Sequence, residues 1–437
     1  MTRSRGIGFR EATSIGVGGM VGGGVFAVLG LAVSMARGGT VVAFAIAGGI
    51  ALLTTYAYVK LSVAFPGQGG TVSYLNRAFG SGLVTGALNV LLWLSYVIML
   101  SLYAYAFGSY GATFFPGSMT FAARHGLISA VILSIGLLNM FSANVIGKAE
   151  DWIVGLKLLI LVVFVVLGFA DIEPARLAPG TWTAPLNLVA GGMIIFLAYE
   201  GFELIANTSE DVRDPARTLP RAFYTSVIGV IVLYLLIAAV TVGNLPVADI
   251  VAAKDYALAA AAKPFLGQAG FTLIAVAALL STASAINATL YGAARLSYVI
   301  ARDRELPRVL EKKIWNEPIE GLVVTTLATL VIANSLDLSS ISTIGSAGFL
   351  IIFAAVNLAN VRLQSRTGGT AWISAPAAVG CLGALAALVW RTAADDPARL
   401  WVLGGMLALA FGIEASYRLV RKRGIKAFRE TGERGAP

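Results

Sequence analysis

The stretch SIGVGGMVGGGVF, from Ser14 to Phe26, decides the fold of this chain. Six of the nine residues from Gly16 to Gly24 are glycine, and the last three of them are consecutive. Each glycine costs a helix about 1 kcal/mol relative to alanine, so a triplet is a place where a helix opens. The alternative is close helix packing, but this needs a small residue only at every fourth position. The stretch therefore predicts a helix that is interrupted at residues 22–24.

The sequence on both sides of this stretch is that of an integral membrane protein. The chain has 437 residues, of which 57% are hydrophobic and 13% are charged, whereas a typical soluble domain carries about 25% charged residues. Apolar runs long enough to cross a bilayer recur along it, and they predict an all-α protein with twelve spans and no second domain. The predicted spans are 12–36, 40–64, 81–112, 126–145, 151–170, 187–210, 222–244, 266–299, 320–336, 339–361, 371–390 and 399–420.

The basic residues predict how these spans are oriented. An even number of spans places both termini on one side, and with that side inside, the inner segments carry 24 of the 32 Lys and Arg residues and the outer segments seven. This excess predicts a protein of the cell membrane with cytoplasmic termini. It also explains the net charge of +9 without nucleic acid as a partner. The first apolar run of 25 residues is longer than the core of a signal peptide, so we expect it to remain as the first span.

The rare residue types exclude several kinds of chemistry. The chain has one histidine, His125, and one cysteine, Cys381. It can therefore form neither an intrachain disulfide nor a His/Cys metal cluster nor a Cys–His nucleophile. We expect no metal and no cofactor, and the scattered carboxylates leave little from which a membrane enzyme could be built.

A second interruption lies in the predicted sixth span, at FLAYEGFE from Phe196 to Glu203. Carboxylates such as Glu200 and Glu203 are costly inside an apolar helix unless they face a polar cavity or a partner. The alternative is that the span ends early and both lie at the cytoplasmic interface. Interrupted helices five spans apart predict a five-plus-five inverted repeat, with a binding site where the two breaks meet. A membrane scaffold would not require them.

Four segments resemble, in order and spacing, the amino acid–polyamine–organocation transporter superfamily. They are residues 14–26, FPGQGGTVSY at 65–74, YEGFE at 199–203 with DPARTLPR at 214–221, and Asn287 through Arg295 to ARDRELP at 301–307. The resemblance implies a LeuT-like transporter with alternating access and broken helices 1 and 6. The implied parts are repeat one at 11–170, repeat two at 186–363, helices 11 and 12 at 370–421 and a cytoplasmic tail at 422–437.

The resemblance also implies a site for an L-amino acid at the two breaks. The carboxylate would bind the backbone amides of Gly22, Gly23 and Gly24. The α-amino group would bind carbonyl groups near Met20, Val21, Ala198, Tyr199 and Gly201. The floor of the side-chain pocket would be Tyr199, Glu200 and Phe202. Candidate walls, for each of which ordinary helix packing is the alternative, are Asn89, Trp93, Tyr96 and Ser346.

Lys157, in the predicted fifth span, is the candidate for energy coupling. Proton-coupled members of the superfamily have a lysine on helix five where sodium-coupled relatives hold a cation, and Lys157 falls at the matching place. Burial favours the uncharged amine, so such a lysine can gain and lose one proton per cycle. The alternative is that its long stem snorkels to the interface. Further acceptors for the ammonium would be Ser281, Thr282 or Ser284, and Glu203 is a second proton candidate.

The sequence thus predicts a proton-coupled importer of L-amino acids whose partners are its substrate, protons and the lipid bilayer. Two alternatives remain open within transport. One is an uncoupled exchanger of an amino acid against its decarboxylated amine. The other is a carrier of cationic amino acids or polyamines that uses Glu200 as the anionic partner of a distal ammonium.

Overall fold

The computed structural model of the protein describes residues 6–67, 69–141, 143–302 and 319–420, nearly all of them in helices. The α-helices are α1 Phe9–Met20, α2 Gly24–Ala36, α3 Thr40–Ala64, α4 Gly70–Phe79, α5 Leu83–Ala112, α6 Thr120–Phe141, α7 Ala143–Gly168, α8 Pro174–Leu177, α9 Pro185–Ile195, α10 Leu204–Asn207, α11 Pro215–Asn244, α12 Val247–Ala253, α13 Ala257–Arg302, α14 Ile319–Ser335, α15 Leu338–Arg362, α16 Gln364–Thr367, α17 Ala371–Asp395 and α18 Ala398–Val420. Single turns of 3-10 helix lie at Gly117–Met119, Pro179–Thr181, Phe196–Tyr199, Ser209–Asp211 and Lys254–Tyr256.

The predicted all-α membrane architecture is confirmed at the level of class. Within the described ranges, nine helical segments are long and apolar enough to cross a membrane. The pair α1 and α2 makes a tenth, bent by 44° at its break. Trp152–Gly168 and Ile319–Ser335 are shorter apolar helices. The chain is therefore a multi-pass membrane protein, while the count of twelve spans and the five-plus-five repeat remain predictions.

Several helices begin before the predicted membrane spans, for local reasons. α11 begins at Pro215 instead of 222, because proline lacks the amide that a first helical turn leaves unused. α13 begins at Ala257 instead of 266 and bends at Gly267, which has a φ of 62°. α7 begins at Ala143 instead of 151. The motif segment at 65–74 passes into the short helix α4, which begins at Gly70. The predicted tail at 422–437 and the motif residues 303–307 lie outside the described residues.

The two breaks lie at the centre of the bundle. Of the most apolar 18 residues in each helix, 83% are buried in α5 and in α15, and 89% in the interrupted segment Pro185–Asn207. The corresponding share is 22% for the α18 segment. A helix that is apolar all round and buried belongs to the interior, so α5, α15 and the interrupted segment are surrounded by the other helices.

Candidate functional site

Both predicted interruptions are present in the structure. α1 ends at Met20 and α2 begins at Gly24, and the residues between them are not helical. In the second break, α9 passes into the 3-10 turn Phe196–Tyr199, and residues 200–203 form an irregular turn before α10. Opened backbone of this kind survives in a membrane protein only where protein or a wet cavity supplies its hydrogen bonds.

The two breaks touch each other through glycine. A Cβ atom added to Gly24 would lie 2.6 Å from the Cα of Ala198, and one added to Gly19 would lie 2.8 Å from the carbonyl oxygen of Gly201. Gly201 itself has a φ of +115°, which L side chains rarely adopt. Glycine is thus required at these positions both for backbone conformation and for the close approach of the two breaks.

Side chains from three other helices donate to carbonyl groups at the end of α1. The last carbonyl groups of a helix lack amide partners within it, and here α7, α11 and α13 supply the donors. The pairs are Lys157 Nζ to the Gly18 oxygen (3.2 Å), Tyr234 Oη to the Met20 oxygen (2.7 Å), and Ser281 Oγ to the oxygens of Val21 (3.0 Å) and Gly22 (2.5 Å). The broken end of α1 is therefore a cluster of acceptors held by neighbouring helices.

Lys157 lies inside the protein and does not snorkel. Its side chain is 1% exposed, and it follows the first residue of α7 by fourteen positions, or about 21 Å along the helix. The ammonium faces the C-terminal end of α1, where the helix dipole favours a positive charge. Of the proposed further acceptors, Ser281 instead donates to the Val21 and Gly22 oxygens in the break after α1. Thr282 donates to the Ala278 oxygen within its own helix at 2.7 Å.

Tyr234 is a site residue that the sequence did not identify. Its hydroxyl lies 2.7 Å from the Met20 oxygen and 3.3 Å from the Ala198 oxygen, so it bridges the two breaks. These are two of the carbonyl groups that the superfamily resemblance assigns to a substrate's α-amino group. A hydroxyl has one proton for two acceptors, which leaves acceptor capacity at both carbonyl groups. The signal in the sequence is that Tyr234 carries the single hydroxyl group of the apolar run 227–240.

The glycine triplet faces Tyr103, a second residue that the sequence did not identify. A Cβ on Gly23 would lie 2.5 Å from the Tyr103 ring and 2.8 Å from the methyl group of Thr282, and one on Gly22 would lie 2.8 Å from the methyl group of Ala285. Ser284, on the same helix as Thr282, is also buried. The start of α2 is thus bare backbone enclosed by α5 and α13.

Glu200 and Glu203 form a buried pair of carboxyl groups in the second break. Their side chains are 3% and 0% exposed, so both are enclosed by the surrounding protein. Glu203 accepts hydrogen bonds from the hydroxyl of Tyr96 at 3.0 Å and from the amide of Gly201 at 2.9 Å, one on each oxygen. The Oε1 atom of Glu200 is buried without a hydrogen-bond partner.

Two residues of the predicted pocket floor pack against neighbouring helices. The hydroxyl of Tyr199 donates to the Phe44 oxygen of α3 at 3.1 Å. The ring of Phe202 contacts those of Tyr58 and Phe353, with centroid distances of 5.4 and 5.3 Å. Both side chains anchor the second break against α3 and α15, and their contact with a substrate remains a prediction.

The four candidate walls divide into two groups. Tyr96 contacts Glu203, and Ser346 accepts a hydrogen bond from the Leu197 amide at 3.3 Å, so both lie against the second break. Asn89 donates to Asn76 of α4 at 3.0 Å, and Trp93 donates to Thr325 of α14 at 3.1 Å. The contacts of Asn89 and Trp93 are those expected of ordinary helix packing.

Comparison with known proteins gives consistent matches along most of the chain. A family model described as amino acid permease matches residues 7–402. An uncharacterized protein of Methanocaldococcus jannaschii is 35% identical over 426 residues, which cover 94% of this chain and 95% of the relative. An inner membrane transport protein of Escherichia coli is 31% identical over 406 residues, covering 92% and 94%. A branched-chain amino acid permease of Lactococcus lactis is 26% identical over 398 residues, covering 82% of each chain.

Proposed function

Because this chain belongs to the amino acid permease family, we propose that it imports L-amino acids by alternating access and couples their uptake to protons through Lys157. The chain is a transporter and not an enzyme. The excess of basic residues in the inner segments supports a place in the cell membrane with both termini in the cytoplasm. The Lactococcus lactis relative, a branched-chain amino acid permease, supports neutral amino acids as substrates.

The proposed substrate lies between the two breaks. Its carboxylate binds the free amides of residues 22–24, because the N-terminal end of α2 carries a partial positive charge and the glycines let an anion approach the backbone. Its ammonium binds the oxygens of Met20 and Ala198, where Tyr234 now donates. This arrangement binds the carboxylate and the α-amino group, which all amino acids share. The substrate side chain would then contact the residues that form the walls of the pocket.

The observation that carries proton coupling is the buried contact between Lys157 and the Gly18 oxygen. A protonated lysine forms a charge-assisted hydrogen bond there and holds α1 against α7. A neutral amine forms a weaker bond and releases the end of α1. Because the same turn of α1 carries the proposed substrate contact at Met20, a change of charge on Lys157 would alter the substrate site directly.

Uptake into proteoliposomes tests this proposal. Purified protein is reconstituted in sodium-free buffer, and a pH step makes the outside acidic relative to the lumen. We expect wild-type protein to concentrate a neutral L-amino acid. We expect Lys157→Ala to lose concentrative uptake and to bind the substrate more weakly, while its cooperative thermal unfolding shows that the variant is folded. Lys263→Ala, which removes an exposed lysine, is the matched control and should behave as wild type. Concentrative uptake by Lys157→Ala, or a strict need for sodium, would refute the coupling role.

A further inference from the structure

The predicted cytoplasmic ends of α3, α16 and α17 carry two cations that have no part in the transport cycle proposed above. Lys60 lies one turn before the end of α3 and is partly exposed, and Arg366 on α16 is exposed. α16 packs against α3, so both cations belong to the same end of the bundle. In the part of the chain that the structure describes, neither forms an ion pair with a carboxylate. Such a surface suits an anion from outside the chain.

Contacts with neighbouring side chains fix the position of Lys60 at the junction of α3 and α17. Its Nζ lies 5.7 Å from the centroid of the Tyr56 ring, one turn earlier on α3, within the range of a cation–π interaction. The Tyr56 hydroxyl donates to Thr370 Oγ1 at 3.1 Å and accepts from the Thr370 amide at 2.9 Å. Because Thr370 immediately precedes α17, the ammonium lies where the two helices meet.

Both helices also carry exposed apolar side chains deeper in the membrane. Leu53 precedes Lys60 by seven residues, which places it on the same face of α3 and about 10 Å deeper, and it is 43% exposed. On α17, Trp372 and Val379 are also seven residues apart, and they are 88% and 69% exposed. Tryptophan is enriched at the level of the lipid headgroups. Each helix therefore presents an interfacial group at its end and aliphatic surface below it, which matches the charged head and acyl chain of a phospholipid.

A signal for membrane topology alone would not require this arrangement. Topology depends on the number of basic residues on one side of the membrane. A basic residue such as Arg217, which pairs with Asp214 at 3.9 Å, serves that purpose equally well. The aromatic support beneath Lys60 and the exposed apolar surface beside it are additional features, and both fit a lipid.

We propose that Lys60, Arg366, Trp372 and Leu53 form a binding surface for an anionic phospholipid of the cytoplasmic leaflet. The lipid phosphate accepts hydrogen bonds from the two cations, and an acyl chain lies along Leu53 at the junction of α3 and α17. A zwitterionic lipid also brings an ammonium to the two cations, so it binds more weakly. The bound lipid holds α3 against α17, and α3 anchors the second break through the hydrogen bond from Tyr199.

Thermal unfolding of the full-length protein in detergent, measured at increasing lipid concentration, tests this surface. We expect phosphatidylglycerol to raise the midpoint of unfolding, and phosphatidylcholine and glycerol 3-phosphate to leave it unchanged. Combining Lys60→Gln with Arg366→Gln should raise the half-saturating concentration of phosphatidylglycerol about 25-fold, because each basic residue near an anionic lipid contributes about fivefold. Arg10→Gln with Arg217→Gln is the matched control, because it removes two exposed charges on the same predicted side. It should stay within twofold of wild type.

The remaining outcomes would overturn the proposal. Equal stabilisation by phosphatidylcholine would show that the headgroup charge is not recognised, and equal stabilisation by glycerol 3-phosphate would show a site for free phosphate. A control variant that weakens binding as much as the Lys60 and Arg366 variant would show that only the net charge matters. If that double variant lacks cooperative unfolding without lipid, Lys60→Gln alone decides, with an expected fivefold effect. None of these results bears on the proposed function, which the uptake assay tests.

Discussion

Gly201 provides the sharpest test of the contact between the two breaks. An alanine at this position would adopt a φ near +115°, and its Cβ would lie 2.5 Å from the carbonyl carbon of Gly19 and 2.7 Å from the amide nitrogen of Met20. The backbone conformation costs about 1–3 kcal/mol, and overpacking of a filled interior costs about 1–3 kcal/mol more. Together these make about 2–6 kcal/mol, a large part of the free energy of unfolding of an ordinary domain.

We expect Gly201→Ala to lower the midpoint of thermal unfolding in detergent and to abolish amino acid uptake in proteoliposomes, because the breaks must move apart. The matched control is Gly229→Ala on α11, where an added Cβ meets nothing within 4 Å. Alanine is favoured over glycine inside a helix by about 1 kcal/mol, so the control should be at least as stable as wild type. If Gly201→Ala unfolds and transports like Gly229→Ala, the close contact between the breaks is not a property of the working protein.

Two further substitutions test hydrogen bonds that tie the helices together. Tyr234→Phe removes the donor to two carbonyl groups and should lower the free energy of unfolding of the substrate-free protein by about 1–3 kcal/mol. Tyr224→Phe, on the same helix and partly exposed, is the control and should change the stability little. If the two variants unfold at the same temperature, the hydrogen bonds of Tyr234 contribute nothing to stability. Arg418 donates to Glu414 at 2.5 Å in a buried ion pair, so Arg418→Leu should cost about 3–5 kcal/mol in thermal unfolding, and adding Glu414→Leu should recover most of that loss. A double variant no more stable than the single one would contradict this explanation.

The class of the protein and the positions of its breaks could be predicted from the sequence, because the physics that sets them is local. The features that predict them can be read from neighbouring residues in the sequence. They are an apolar run long enough to span a bilayer, a glycine triplet that disfavours a helix, and a carboxylate that is costly inside an apolar run. The boundaries of α7 and α13 were less predictable. Their ends depend on contacts with other helices. In α13, residues before the bend at Gly267 belong to the same helix as the apolar span predicted at 266–299, although the sequence pattern did not include them.

Some residues of the candidate site could likewise be identified from the sequence, and others could not. Lys157 and the two glutamates stood out because a buried charge is rare in any sequence. Tyr234 and Tyr103 did not, because a tyrosine in an apolar helix has the same appearance whether it packs or donates. Tyr234 reaches the oxygen of Met20 across 214 positions of the chain. A contact between residues so far apart in the sequence cannot be predicted from a local sequence pattern.

The sequence was therefore enough to predict that this protein lies in a membrane, where two of its helices are interrupted, and which charged residues are costly to bury. Each of these depends on a free-energy cost that arises within a single helix. Which donor satisfies each opened carbonyl group was decided only when the helices packed. Lys157, Tyr234 and Ser281 come from three separate helices, and only the bundle brings them to the same end of α1. The exclusion of water from that end makes each of these pairings matter, since a carbonyl group left without a donor there cannot turn to solvent.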